Sequence, residues 1–317
     1  MLGIVPFHAS RPPKRLMMGI FRRSVITFRP HYRVTDRILN SVTRATAAKE
    51  LIAKVRLPPE WMANFHREAM LKTAHASVAL EGSDLSFTDV MRLAERGSEA
   101  NSTAKQQVIN YLQALESSAT FLKDRQLTED KVLQIHYLLT ENILEKAEMG
   151  GVYRKGEPAS SIGEPADVLG PAPKAKDVPA LLRGLLKWVN SFEAERVHPV
   201  LQAGLVHYEI MRVRPFVTGN GLMARYLATL LLNWRNFDAK RIFCLDEYYT
   251  ADKGAYFEAL KPTDQKRPDM TGWLEYYADG VAQAVVQVKD RIVALSSELS
   301  PRPEPPVDLP PTTRSPL

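Results

Sequence analysis

The residues best suited to chemistry lie in one stretch, residues 214–225, which reads Arg-Pro-Phe-Val-Thr-Gly-Asn-Gly-Leu-Met-Ala-Arg. Apolar runs at helical spacing, 201–211 and 222–232, flank it, so a Gly-Asn-Gly turn opens directly onto the second helix. Exposed backbone N–H groups and the positive end of a helix dipole meet at such a turn and can bind an anion. Arg225, one turn into that helix, adds a forked donor. The spacing therefore fits a phosphate site, although most turns of this kind are plain helical corners.

The same stretch resembles the signature loop of the Fic (Fido) family, protein adenylyltransferases that move AMP from ATP onto a target hydroxyl. The family pattern is His-x-Phe-x-Asp/Glu-Gly-Asn-Gly-Arg-x-x-Arg, and Phe216, Gly219, Asn220, Gly221 and Arg225 match it. The resemblance implies that the two glycines, the asparagine and Arg225 bind a nucleotide, with ATP as the expected cofactor.

Three positions depart from the family pattern, and each removes a chemical group. Arg214 stands at the position of the family's His, which takes the proton from the target hydroxyl, whereas a guanidinium stays protonated and has no acceptor. Thr218 replaces the acid that binds Mg²⁺, so one neutral hydroxyl is left as a weak metal ligand and Mg²⁺ is a doubtful cofactor. Leu222 replaces a phosphate-binding Arg.

These departures leave no residue that we assign with assurance as catalytic. Two roles for Arg214 stay open from the sequence. Its fixed charge either replaces part of the metal's charge at the phosphates or pairs with a neighbouring carboxylate.

A second motif lies upstream of the loop. Residues 77–82, Ser-Val-Ala-Leu-Glu-Gly, resemble the inhibitory motif of the Fic class in which the inhibitory helix precedes the core. From the sequence alone a solvated Glu81 is the simpler expectation, although a Glu near a helix C-terminus opposes the helix dipole. The resemblance instead implies an inhibitory role for Ser77 and Glu81, with a salt bridge from Glu81 to Arg225 that blocks the γ-phosphate position in relatives.

The apolar spacing along the chain predicts an all-α domain over residues 28–299. Between residues 150 and 174 the pattern changes to Gly, Pro, Ser and β-formers, which predicts a small β-hairpin or exposed loop, and Gly151–Arg154 resemble the lead-in to the family's target-binding flap. Thr88 and Thr128 are predicted helix caps. The later predicted helices are 106–122, 128–144, 178–192, 199–211, 222–234, 249–260 and 270–299.

Composition narrows the class of protein. Residues 1–33 contain basic residues and no acid, and they account for the net charge of +6. Most of these basic residues lie in a leader over residues 1–27. Because the excess charge belongs to this segment, we expect no nucleic-acid partner. The longest apolar runs are too short to span a bilayer, and a single cysteine, Cys244, fits a reducing compartment. We therefore expect a cytoplasmic protein with no membrane partner, and a disordered Pro-rich tail over residues 300–317.

These observations favour a nucleotide-binding Fic-type protein whose AMP-transfer activity is lost or much reduced, in other words a pseudoenzyme. The expected partners are a nucleotide and an unidentified protein target that docks at the flap, and a homodimer is left open. One alternative is an active nucleotidyl or phosphoryl transferase with a non-standard loop. Another is a Fic-type regulator linked to transcription, although the chain shows no winged-helix module.

Overall fold

The computed structural model describes residues 27–96, 100–159, 169–264 and 267–299, and these form an α-helical bundle. The N-terminal leader up to residue 26 and the Pro-rich tail lie outside the described residues. In chain order the helices are α1 (Asp36–Lys54), α2 (Pro59–Leu80), α3 (Phe87–Arg96), α4 (Thr103–Glu116), α5 (Ser118–Leu122), α6 (Glu129–Thr140), α7 (Val178–Val189), α8 (Phe192–Glu195), α9 (Pro199–Val213), α10 (Asn220–Trp234), α11 (Asp246–Ala251), α12 (Lys253–Leu260) and α13 (Thr271–Leu299).

Helices α9 and α10 form the centre of the bundle. The signature loop joins them, they pack on each other, and their side chains are buried on nearly all sides. A helix that is apolar all round belongs in the interior, which is what the runs on either side of the loop predict. The long α13 packs on α9 and also lies along α1. Gly204 permits the close approach of α9 to α13, because a Cβ there would meet Leu274 and Tyr277 at 3.0 Å.

The all-α fold class is confirmed, and several helix boundaries are corrected. Thr128 caps α6 as predicted, since its hydroxyl accepts from the Lys131 N–H at 3.3 Å. The cap predicted at Thr88 is wrong: α3 already begins at Phe87, and Ser86 and Asp89 exchange hydrogen bonds around its first turn.

Two stretches that are predicted as single helices each contain two helices in the structure. The one over 106–122 is interrupted at Ser117, which ends α4, and the one over 249–260 is interrupted at Asp252, whose carboxylate caps α12 through the Ala255 N–H. The apolar spacing continues across both breaks, so periodicity alone does not reveal them.

The predicted hairpin is not shown. Residues 150–159 and 169–174 contain no strand, and the centre of the segment lies outside the described residues. Two backbone N–H groups of its first part nevertheless hydrogen-bond the signature loop, Arg154 to the Pro215 carbonyl at 3.0 Å and Ala159 to the Val217 carbonyl at 2.7 Å. We keep the name flap for residues 150–174. Across the described ranges, no helix combines the length and apolar character needed to cross a membrane.

Candidate functional site

The signature loop begins and ends in left-handed backbone. Arg214 follows the last residue of α9 with φ +44°, and Gly219 precedes α10 with φ +75°. The second value is easily reached by glycine, whereas the first is strained for a side-chain-bearing residue. Between these two residues the chain leaves α9 and enters α10, whose first N–H groups have no partner within the helix.

An aromatic stack and an amide fix the loop to the bundle. Phe216 is fully buried and its ring stacks on His136 of α6, with centroids 3.6 Å apart and planes 5° apart. The Asn220 side chain spans the turn: its Oδ1 accepts from the Phe216 N–H and its Nδ2 donates to the Phe216 carbonyl, both at 3.0 Å. Phe216 and Asn220 therefore hold the turn shape that the two glycines permit.

His136 connects the loop to the flap. The Gly151 N–H donates to Nδ1 at 3.0 Å, so the proton of the neutral ring must lie on Nε2, which donates to the Thr218 carbonyl at 3.1 Å. Burial lowers the pKa of His136 to about 4, against the opposing effect of the Thr218 hydrogen bond. This histidine is neutral at physiological pH and both nitrogens are engaged, so it is a positioning residue. No sequence motif marks His136, so its role follows from the structure alone.

Close packing surrounds both loop glycines. A Cβ on Gly219 would meet the Thr140 methyl at 3.0 Å, and a Cβ on Gly221 would meet the Glu81 carboxylate and Arg225 Nη1. The carboxylate of Glu81 thus lies over the first turn of α10, where backbone N–H groups favour an anion. Glycine at 221 makes this approach sterically allowed.

The contact predicted between Glu81 and Arg225 is present. Arg225 Nη2 donates to Glu81 Oε1 at 2.6 Å and to the Ser77 carbonyl at 3.0 Å, and its Nε donates to the Ser77 hydroxyl at 2.7 Å. Burial opposes the charge of Arg225, yet the carboxylate of Glu81 holds its pKa above the ordinary value. The inhibitory role assigned to Ser77 and Glu81 stays a prediction.

A second carboxylate, Asp246 of α11, lies in the same buried region. Burial raises the pKa of Asp246 to about 6, although the charge of Arg225 and a hydrogen bond from Ser77 oppose the rise. Its Oδ2 has no hydrogen-bond partner among the described residues. Because Asp246 belongs to no motif, the sequence analysis did not include it in the site.

Arg214 has a partner that neither sequence hypothesis named. Its Nη2 donates to the carbonyl of Gly170 at the far end of the flap. The carbonyl of Arg214 in turn accepts from Arg154 Nε at 2.6 Å. Arg214 is therefore engaged with the flap through both its side chain and its backbone.

Arg154 ties the two ends of the flap to the loop. Its guanidinium also donates to the carbonyls of Gly156 at 2.8 Å, Pro173 at 2.5 Å and Val213 at 3.3 Å. Burial lowers the pKa of Arg154, and the nearby charge of Arg214 lowers it further while Glu157 opposes the change. The guanidinium groups of Arg154 and Arg214 therefore both lie at the flap, with the carboxylate of Glu157 also near Arg154.

The other two residues that depart from the family pattern, Thr218 and Leu222, lie in different surroundings. Thr218 is half-buried, and its carbonyl is taken by His136. Leu222 is buried in the first turn of α10, with 1% of its surface exposed. In the described ranges no three His, Cys, Asp or Glu side chains come together as a metal site.

The part of the chain that holds the signature loop is similar to a known family. Residues 126–232 match the model of the Fic/DOC family. The protein adenylyltransferase Fic of Drosophila ananassae is 27% identical over 115 residues, or 36% of this chain and 21% of that protein. The corresponding protein of Drosophila virilis is 24% identical over 170 residues, or 52% and 33%. The matches to these two relatives thus cover a third of their length or less.

Solved structures agree on the fold. A Fic family protein from Desulfovibrio desulfuricans G20 superposes with a TM-score of 0.69 at 24% identity, covering 87% of this chain and 79% of that one. A fragment of Fic-1 from C. elegans gives a TM-score of 0.67 at 18% identity, covering 83% and 74%. At these identities the structural likeness carries the fold alone.

Proposed function

This chain belongs to the Fic/DOC family, and we propose that it binds a nucleotide at its signature loop while AMP transfer to a target hydroxyl is lost or much reduced. The proposal joins two properties of the site that are tested separately. The first is an anion-binding turn built by Gly219, Asn220 and Gly221. The second is the absence of a general base at position 214.

The turn supports phosphate binding. Gly219 supplies the left-handed residue before α10, and the Asn220 amide locks the turn through Phe216. The N–H groups of the first helical turn have no partners within the helix and point toward an incoming anion. A carboxylate, that of Glu81, already lies at this place, which is what a turn of positive potential favours. ATP is the nucleotide we propose, since it is the donor of the family.

The single observation behind the loss of transfer is the state of Arg214. Its guanidinium donates to the Gly170 carbonyl at the flap, where the family's His would take a proton from the target hydroxyl. A group that is always protonated cannot act as a base, and a positioned general base contributes roughly 10²–10⁴-fold in rate. His136 cannot replace it, because both of its ring nitrogens are hydrogen-bonded within the fold.

The signature loop offers Mg²⁺ a single side-chain ligand. Thr218 offers one neutral oxygen, whereas Mg²⁺ is held through carboxylates and phosphate oxygens in octahedral geometry. Arg214 and Arg154 place two positive charges beside the loop and compensate part of the charge that a metal would supply. We therefore propose nucleotide binding with little dependence on Mg²⁺.

We also propose that the target protein docks along the flap. The N–H groups of Arg154 and Ala159 already bond the loop, so the flap is held at the edge of the site. An extended target segment laid along that edge would bring its hydroxyl toward position 214.

The test separates binding from transfer. Calorimetric titration of the Glu81→Gly variant with ATP, with and without Mg²⁺, measures binding, and intact mass after incubation with ATP and Mg²⁺ measures transfer onto the chain itself. We expect the dissociation constants for ATP with and without Mg²⁺ to agree within a few-fold. We expect the intact mass to show no gain of an AMP unit. Adding Arg214→His and Thr218→Asp to the same variant should then allow the mass gain.

Leu222→Arg is added only in a third variant, because this side chain is buried and an arginine there needs room that the apolar core does not offer. Asn220→Ala in the restored chain is the matched negative control, since it removes the amide that locks the turn. An AMP gain on the Glu81→Gly variant alone would show that Arg214 does not prevent transfer, and would overturn the pseudoenzyme proposal. Absence of ATP binding would overturn the nucleotide proposal independently.

A further inference from the structure

A cavity of about 300 Å³ lies between α2, the junction of α4 and α5, and the C-terminal half of α10. The lining includes Ala69 from α2, Leu230 from α10 and Phe243 among its apolar residues, His66 and Asn233 among its polar ones, and three charged residues: Glu116, Asp238 and Arg241. The signature loop is at the other end of α10. Asn220 and Asn233 are thirteen residues apart in sequence, which is about 20 Å along a helix. The cavity extends from Asn233 back to Tyr226, which directly follows Arg225, but neither the signature-loop residues 214–221 nor Arg225 line it.

Two buried polar atoms in the cavity wall have no protein partner. His66 Nε2 and Asn233 Oδ1 are both hidden from solvent and make no hydrogen bond with a described residue. Leaving such an atom unsatisfied costs about 1–3 kcal/mol, and most buried polar groups in proteins are paired. The two residues lie on different helices, His66 on α2 and Asn233 on α10, and both line the cavity. Each unpaired atom is suited to bond a polar group that is inserted between the helices.

The rim of the cavity is a backbone segment in an uncommon conformation. Ala239, Lys240 and Arg241 have φ of +42°, +61° and +59° in succession, and Arg241 lines the cavity. Side-chain-bearing residues rarely adopt this region, and such strain clusters at binding sites. The turn is held by an ion pair between Arg241 and Asp238 at 3.5 Å, and by Lys240, which donates to the Val55 carbonyl at 3.0 Å.

We propose that this cavity is a binding site for a small, mostly apolar molecule with one hydroxyl or amino group, of the kind that a substituted phenol represents. The apolar walls take the ring, because ligand pockets are lined mainly by apolar groups with a few placed polar ones. Asn233 Oδ1 accepts a hydrogen bond from the ligand hydroxyl. The imidazole of His66 adopts the tautomer that makes the second hydrogen bond to the same hydroxyl. The site does not depend on the nucleotide or on AMP transfer.

The probe is 4-fluorophenol, and fluorobenzene is the matched compound without the hydroxyl. Line broadening of the ¹⁹F signal on titration with the full chain gives the two dissociation constants. We expect 4-fluorophenol to bind at least about tenfold more tightly than fluorobenzene, since the apolar analogue leaves the buried polar atoms unpaired. Asn233→Leu combined with His66→Leu removes both polar partners and should bring the two compounds to within about twofold of each other.

Filling the cavity gives the decisive control. Ala69→Phe fills it from α2, and Thr229→Phe fills it from α10, so one variant remains informative if the other does not fold, as judged by cooperative thermal unfolding. A folded filled variant should bind neither compound. Binding by a folded filled variant at the wild-type level would overturn the proposal. So would equal affinity of the wild type for the two compounds, or no broadening at millimolar concentration.

Discussion

Gly221 is a position at which a single methyl group tests the site. A Cβ there would meet the Glu81 carboxylate and come within 3.0 Å of Arg225 Nη1. We predict that Gly221→Ala lowers the unfolding free energy by about 1–3 kcal/mol, because the ion pair must move to make room. In a Glu81→Gly background the same change should cost less than about 1 kcal/mol, since the nearer group is gone and the Arg225 guanidinium, released from its ion pair, can shift away. Urea unfolding of the four chains measures both values.

Gly272→Ala is the matched control for this pair. Gly272 lies in the first turn of α13, and a Cβ there would meet nothing within 4 Å. This substitution should leave stability unchanged or raise it slightly, because alanine restricts the unfolded chain. Equal losses for Gly221→Ala with and without Glu81 would show that the carboxylate is not what glycine accommodates at 221.

The same pair of residues shows what sequence reasoning can and cannot reach at this scale. The sequence alone favours a solvated Glu81, and only the resemblance of residues 77–82 and 214–225 to two Fic motifs implies its contact with Arg225. The Gly170 carbonyl that binds Arg214, and the four carbonyls that bind Arg154, are backbone atoms with no residue signature. Partners of this kind follow only from the path of the chain, so both hypotheses for Arg214 lacked the partner that it has.

At the scale of elements, α6 controls the loop through His136. Its ring stacks on Phe216, and its two nitrogens join the flap at Gly151 to the loop at Thr218. The pKa is lowered to about 4 in the folded chain, so the unfolded chain binds more protons between pH 6.5 and 4. The contribution of His136 to stability is thus fully present above pH 6.5 and falls as the pH drops.

We predict that this histidine accounts for about 2 kcal/mol of stability lost between pH 7 and pH 5. Urea unfolding of the wild type and of His136→Gln at both pH values isolates the contribution, because the remaining titrating groups are common to the two chains. The variant should be less stable at pH 7 and should lose about 2 kcal/mol less on acidification. A parallel pH dependence of the two chains would contradict the neutral, doubly bonded ring.

The elements themselves were largely predictable where a cap and an apolar stripe agree. The start of α6 at Thr128 is such a case, because a threonine that accepts from the third N–H precedes a periodic run. The breaks at Ser117 and Asp252 are not visible in the sequence, because the apolar spacing continues across both of them. The apolar run over 222–232 predicted α10, but the two residues before it, Asn220 and Gly221, join the helix as well, since glycine at 219 supplies the left-handed start.

At the scale of the whole molecule, the site brings together residues distant in sequence. Ser77 and Glu81 come from the end of α2, Arg225 from the start of α10 and Asp246 from α11. Asp246 was beyond sequence reasoning, because its place depends on how α11 packs against α2. The ion pair of Glu81 and Arg225 is almost fully enclosed, with 8% and 2% of the side chains exposed. Removing one partner of such a pair leaves a buried charge, whereas the intact pair adds little net stability.

We therefore predict a trade between stability and nucleotide binding at Glu81. Glu81→Gly and Glu81→Gln should each lower the unfolding free energy by about 2–4 kcal/mol without ATP, toward the low end because Asp246 still neutralises part of the charge of Arg225. With ATP present, the melting temperature of Glu81→Gly should rise by more than that of the wild type, since the anion takes the place of the carboxylate at α10. Glu81→Gln keeps the side-chain volume, so it separates charge from space: a rise as large as that of Glu81→Gly would assign the block to charge, and a smaller one to bulk. An equal rise in the wild type and in both variants would show that Glu81 does not compete with the nucleotide.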